Sequence, residues 1–226
     1  MHELIKNAKK ENRSLLETEA KLLLRDYNIS IPTFKLIRKK EEVKNAIHCL
    51  GYPLVMKIIS PDIIHKSEAG GVKIGIENEK SALWAFQEIM RSVKKYNNSA
   101  RIHGIIACKM IPQSIEIIVG MMKDPHFGPV IMFGLGGIFV ELLKDVSFRV
   151  LPIKEKDAED MISEIKGYKI LQGIRGETKK DIKAIKELLI KISQLSMENP
   201  EITEIDLNPV FVFENGLKVI DARMIL

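Results

Sequence analysis

The chain has 226 residues, 46% of them apolar and 6% aromatic, with 35 Lys and Arg against 30 Asp and Glu for a formal charge of +5. That suffices for one large domain or two small lobes, and basic residues spread end to end without aromatic interleaving make nucleic acid a weak candidate partner, an anionic small molecule fitting equally well. Cys49 and Cys108 fit no CxxC or Cys/His metal spacing, so the expectation is reduced thiols in a cytoplasmic protein, without a zinc site or disulfide framework.

The opening "MHELIKNAKKENRSLLETEAK" is charged and lacks an apolar signal segment, and His2 is expected in a mobile terminus. In "LLETEAKLLLRDYNISIP", Leu16, Ala20, Leu23 and Tyr27 share a helical face, with Asn28 suited to a left-handed cap. A strand at 33–38, a helix near 40–50, the strand "PLVMKII", a loop, the strand "GVKIGI" and a helix at 79–95 carrying Trp84 make a small α/β lobe. The junction is expected near 97–104. The second part reads as strands at 104–110, 115–122 and 129–133, a Gly-rich turn "FGLGG", helices at 155–166 and 178–197, and a hairpin over 202–223. In the long helix Ile182, Ile185, Leu188, Ile192 and Leu195 form a core stripe. The apolar stretch "PVIMFGLGGIFV" is broken by glycines and short of the ~20 residues a spanning helix needs, so no membrane role is expected.

Three places break the pattern. Alternation in "PLVMKII" sends Lys57 to one face with Val55 and Ile59, where it is either a lysine snorkelling from a strand edge or a phosphate-binding lysine. In "EITEIDLNPVFVFENGLKVIDARMIL", Asn215-Gly216 signals a two-residue type I′ turn. That turn pairs Glu214 with Leu217 and Val210 with Asp221, and puts Asp206, Asn208 and Asp221 on one face. Such an all-oxygen set suits Mg²⁺, the alternative being a solvated polar face. Glu116 is an acid in the apolar strand "SIEIIVGMM". "FGLGG" reads equally as a phosphate turn or a tight corner, Arg149 and Arg175 as surface or loop anchors, and His48, His103 and His126 as structural or exposed. His65, in "SPDIIHKSEAGGVKIGI", could be a base, a metal ligand, a phosphate carrier or a bystander.

Taken in order, "LLETEAKLLLRDYNISIP", "GYPLVMKIISPDIIHKSEAGGVKIGI", "EIIVGMMKDPHFGPVIMFGLGGIFVELLKDVSFRVLPI" and "EIDLNPVFV…VIDARMIL" closely resemble the beta subunit of ADP-forming acetate-CoA ligase, an NDP-forming acyl-CoA synthetase. The resemblance covers essentially the whole chain and implies an α/β (α+β) ATP-grasp domain over 1–226, with a leading helical segment 1–27 and lobes 28–103 and 104–226 gripping a nucleotide. It implies that Lys57 contacts ATP or ADP phosphates, that Gly70 and Gly71 belong to a flexible loop over them, and that Cys108, Lys109, Met110 and Ile111 form a hinge offering backbone groups to adenine. Asn208 and Asp221 would bind Mg²⁺, Glu116 would lie beside the phosphate-accepting site, His65 would carry the phosphoryl group, and Asp206 would partner it. A neutral imidazole nitrogen is a nucleophile at neutral pH, which suits a covalent relay. No GxGxxG segment for a CoA-binding lobe is present. The resemblance therefore implies an alpha subunit that supplies CoA binding, the acyl site and a first phosphohistidine, commonly in a heteromer of two alpha and two beta chains. The rivals are another ATP-grasp ligase, such as a succinyl-CoA-type or carboxylate-amine ligase, and a nucleotide-binding regulatory module. Retention of His65, Asp206, Asn208 and Asp221 together speaks against the module, since a sensor needs no nucleophile.

Overall fold

The computed structural model describes residues 1–137, 144–174 and 178–226. They form two compact units, Pro32–Pro112 and a larger one made of Met1–Ile31 with Gln113–Leu226. Among the described residues no helix is long and apolar enough to cross a membrane.

The chain enters the larger unit through helices α1 (Glu3–Lys10) and α2 (Glu17–Asp26). His2 is not a loose end: its Nδ1 accepts the Leu4 N–H at 3.3 Å, capping α1, and its Nε2 lies 3.1 Å from Asp26. Leu16, Ala20 and Leu23 of the expected face are buried, and Asn28 closes α2 at φ 54°, the left-handed conformation a C-terminal Asn tolerates. Opposite charges are also buried here. Lys21 Nζ sits 3.0 Å from Glu17 Oε1, one turn apart, with side chains 0% and 3% exposed.

The smaller unit contains β1 (Phe34–Ile37), α3 (Val43–Leu50), β2 (Leu54–Ile59), β3 (Val72–Ile76), α4 (Glu79–Tyr96) and β4 (Gly104–Lys109). Its antiparallel sheet runs β1-β4-β2-β3. Leu54, Met56 and Ile58 pack with Ile105 and Ala107 against Ala82, Ala85, Ile89 and Val93 of α4, as alternation in β2 requires. Where the sequence sets a junction near 97–104, β4 instead occupies the central place between β1 and β2, which holds residues through 109 in this sheet.

The larger unit continues with β5 (Ile115–Asp124), β6 (Gly128–Leu135), β7 (Val146–Val150), α5 (Glu155–Glu164), α6 (Tyr168–Leu171), α7 (Ile182–Glu198), β8 (Glu204–Val212), β9 (Leu217–Val219) and β10 (Arg223–Ile225). Its sheet runs β10-β8-β5-β6-β7, with β9 also paired to β8. Ile117, Val119, Met121, Ile131, Phe133, Ile205 and Leu207 meet Ile185, Leu188 and Ile192 of α7 and Leu23 and Leu24 of α2 in one core. Helix α7 starts at Ile182, later than the expected 178, because Asp181 caps it by accepting the Ala184 N–H at 2.9 Å. Strand β7, within "VSFRVLP", was not expected; it exposes Phe148 and Val150 and buries only a serine, whose hydroxyl donates to the Met161 carbonyl at 2.9 Å.

The closing hairpin corrects the expected register. Val210 pairs with Val219 and Val212 with Leu217, so four residues, Phe213 to Gly216, make the connection. Gly216 adopts φ 81°, whereas Asn215 is absent from the positive-φ residues that a type I′ turn demands. Phe213 N–H donates to the Gly216 carbonyl at 3.0 Å, and the Gly216 N–H donates to Asp181 at 2.7 Å. A tertiary bond thus sets the loop. Val210 is not opposite Asp221, but the slip is an even number of residues, so facing is preserved.

Candidate active site

In the smaller unit β2 delivers Lys57. It is 8% exposed, opposite Val72 of β3 and Ile106 of β4, on the sheet face turned away from the α3 and α4 core. A cation held there among Ile59 and Ile106 is costly unless an anion meets it.

Beyond β2 the chain coils through residues 60–71. Ile63 and Ala69 are buried anchors, and Ala69, Gly70 and Gly71 donate N–H bonds to the carbonyls of His65, Ser67 and Lys66 at 3.1, 3.0 and 2.7 Å. Between the anchors the His65 side chain stands out, 69% exposed, with Nδ1 3.8 Å from Glu68. Glu68, one turn along, is a neighbour that the sequence reading did not single out.

Gly70 and Gly71 have packing reasons to be glycine. A Cβ at Gly70, which has φ 66°, would come 2.8 Å from Ser92 Cβ, and one at Gly71 would come 2.5 Å from Ile58 Cγ2. They let the loop lie against α4 and β2. Its base is clamped by Arg101, whose backbone N–H donates to Asp62 at 2.7 Å and whose guanidinium donates at 2.8 and 3.1 Å. These bonds hold the Asp62 carboxyl at about 2, below the ~3.9 of an unperturbed Asp. A depressed folded value stabilises the fold above the unfolded value and loses that contribution as pH falls toward the folded one. The stability advantage of the native chain over Arg101→Gln is expected to persist from pH 7 to about 4 and to shrink as pH approaches about 2, measured by urea unfolding.

In Cys108–Ile111 the Lys109 N–H donates to Thr33 and the Met110 N–H to Pro53, each at 3.0 Å, and the Lys109 ammonium donates to the Tyr52 carbonyl. The backbone donors at 109 and 110 are thus already committed within the unit.

The larger unit carries the acids. Ile205 and Leu207 point into the core, leaving Asp206 and Asn208 on the outer face of β8, with Asp206 opposite Gly120 of β5 and Arg223 of β10. The register shared by β9 and β10, extended through 220–222, sets Asp221 across from Asn208. Burial pushes the Asp206 carboxyl above its ordinary value, the charges of Glu204 and Asp221 push it further, and Arg223 offsets part of this. This face therefore holds more negative charge than its arginine neutralises, which fits a hard cation. Among the described residues no three His, Cys, Asp or Glu side chains gather as a metal cage. One carboxylate and one amide oxygen suit an ion that takes its remaining ligands from phosphate and water.

Glu116, on β5, lines a separate cavity of about 260 Å³ with Gln113, Ser114, Gly136 and Gly137. Gly136 N–H donates to the Glu116 carbonyl at 2.8 Å, and a Cβ at Gly136 would come 2.9 Å from Glu116 Cβ, so "FGLGG" is a tight corner folded onto this acid. Arg149 pairs with Glu164, and Arg175 lies outside the described residues.

Residues 6–226 match the ATP-grasp domain family. The chain is 53% identical over 224 residues to "Acetate--CoA ligase [ADP-forming] I subunit beta" of Pyrococcus furiosus, covering 99% of this chain and 97% of that one. It is 47% identical, with a TM-score of 0.95 and coverage of 99% and 98%, to the dinucleotide-forming acetyl-coenzyme A synthetase 1 of Ca. Korarchaeum cryptofilum solved with coenzyme A, Ca-AMPCP and HgCl+. A structure of the latter with coenzyme A and Mg-AMPPCP, its phosphohistidine segment pointing towards the nucleotide-binding site, gives a TM-score of 0.87 at 44% identity, with the same coverage. The chain belongs to the ATP-grasp family, among the beta subunits of ADP-forming acetate-CoA ligases.

Proposed function

We propose that this chain is the nucleotide-handling subunit of an ADP-forming acid-CoA ligase, turning acyl-CoA, ADP and phosphate into acid, ATP and CoA, and that it carries the phosphoryl group on His65. The observation that supports this most is the loop of 60–71, which offers an exposed imidazole on buried anchors at the end of the strand that carries Lys57.

In the proposed relay the lone pair of a neutral imidazole nitrogen attacks phosphorus. The N–P bond forms as the bond between phosphorus and the donor atom of a carrier on the partner subunit breaks. A β-phosphate oxygen of ADP then attacks the same phosphorus, the N–P bond breaks, and the ring regains its lone pair. The Lys57 ammonium neutralises charge on the phosphates, and the Glu116 pocket takes up the incoming phosphoryl carrier. Asn208 and Asp221 would hold Mg²⁺, with Asp206 adding a third oxygen to that face; the ion, when bound, neutralises phosphate charge and fixes phosphate geometry. The partner subunit supplies the CoA and acyl sites, in a proposed assembly of two alpha and two beta chains.

The nucleotide part is tested by Asp221→Ala. Calorimetry should show Mg²⁺-dependent ADP binding lost while circular dichroism stays native, and unchanged affinity would overturn the metal assignment.

A further inference from the structure

A concavity of about 300 Å³ in the larger unit lies between residues 28–30, helix α7 and the 213–218 connection, and the reaction above does not use it. Its wall is apolar where Ile29, Leu188 and Leu217 meet it, and two lysines are fixed over it. Lys191 Nζ donates to the Asn28 carbonyl at 2.8 Å, and Lys218 Nζ to the Ser30 hydroxyl at 3.2 Å. Both acceptors are neutral, and among the described residues neither ammonium has a carboxylate within 4.0 Å; Glu187, which also lines the concavity, is 3.9 Å from Lys183. Two anchored, half-buried cations thus stand over an apolar wall, with one carboxylate in the lining and none paired to either of them.

We propose that this concavity binds a monocarboxylic acid with a short apolar body, the carboxylate lying against Lys191 and Lys218 and the hydrocarbon on Leu188 and Leu217. The lining charges of two lysines and one glutamate leave a net of one positive charge, which matches a carboxylate rather than a doubly charged phosphate. About 300 Å³ accommodates roughly ten water-sized groups, the bulk of a six-carbon acid.

Hexanoate is the probe, titrated into the intact chain and followed by calorimetry and by backbone amide shifts, with hexanol and inorganic phosphate as comparators. Saturable one-to-one hexanoate binding is expected, with shifts clustered at 28–30, 187–191 and 213–218. Lys191→Gln and Lys218→Gln should each weaken it at least fivefold, while ADP binding is unchanged. Hexanol and phosphate should bind at least tenfold more weakly. Absence of saturation, equal binding of hexanol, tighter binding of phosphate, or hexanoate affinity indifferent to both substitutions would each overturn the proposal. Because ADP binding is read in the same samples, failure here is distinct from failure of the phosphoryl relay.

Discussion

His65→Asn is expected to abolish ATP formation by the complex while leaving acyl phosphate formation from acyl-CoA and phosphate near the native rate. Asparagine keeps much of the size and hydrogen bonding of histidine, so a residue that merely filled the loop would be replaced at little cost; with 69% of the side chain exposed there is little packing to lose. A covalent carrier has no such tolerance, since an amide nitrogen cannot hold and release a phosphoryl group. Losing a nucleophile that works as a unit with its surroundings lowers the rate by several orders of magnitude. Label from γ-labelled ATP should appear on the native chain in acid-labile, base-stable form and be missing from the variant. ATP synthesis by the variant at near native rate would refute the relay, and loss of both half-reactions together would point to a structural role.

The second large effect concerns stability. Lys21→Met keeps the length of the side chain but leaves the Glu17 carboxylate, 3% exposed, without the ammonium now 3.0 Å away. Breaking a buried pair from one side costs about 3–5 kcal/mol, and in a chain of this size that lowers the melting temperature by roughly 10 °C. Replacing both partners, as Glu17→Leu with Lys21→Met, removes both buried charges and should recover much of the loss. Calorimetric melting of the native chain, Lys21→Met, Glu17→Leu and the double variant decides it: an unchanged midpoint for Lys21→Met, or a double variant as damaged as the sum of its singles, would show that the pair contributes nothing.

How much could be read in advance depended on whether the deciding force was local. Alternation in β2 and the apolar stripe of α7 are set by neighbours in sequence, and both Lys57 and the core positions Ile185, Leu188 and Ile192 stand where periodicity puts them. The facing of Asp206 and Asn208 was legible for the same reason, since Ile205 and Leu207 alternate with them. The hairpin register was not, because Asp181 captures the Gly216 N–H and stretches the connection to four residues, a bond made across 35 positions. Likewise Asp62 and Arg101, 39 positions apart, carry no shared pattern that would pair them. The family resemblance implies a flexible loop at Gly70 and Gly71, yet the neighbours that forbid a side chain there, Ser92 and Ile58, are set by tertiary packing and leave no local pattern.

The larger unit is discontinuous along the chain, and that bears on how the protein is made. Leu15 donates its N–H to Met224 at 3.2 Å, α2 packs against β10, and Ile5, Leu23 and Leu24 share a core with β5, β6, β8 and α7, so the first helices cannot bury their apolar faces until chain beyond residue 112 has been synthesised. Residues 32–112 are contiguous, their first and last strands are adjacent with Phe34 opposite Cys108, and they can close their own core on the ribosome. Translation at about 5–20 residues per second leaves α1 and α2 waiting for tens of seconds, with Ile5, Leu23 and Leu24 unsatisfied. A nascent chain halted after residue 112 therefore presents a finished smaller unit and an amphipathic helical pair whose core partners in β5, β6, β8 and α7 are not yet made, the kind of surface that chaperones bind. High contact order in the larger unit is thus a cost met during synthesis rather than in the folded protein.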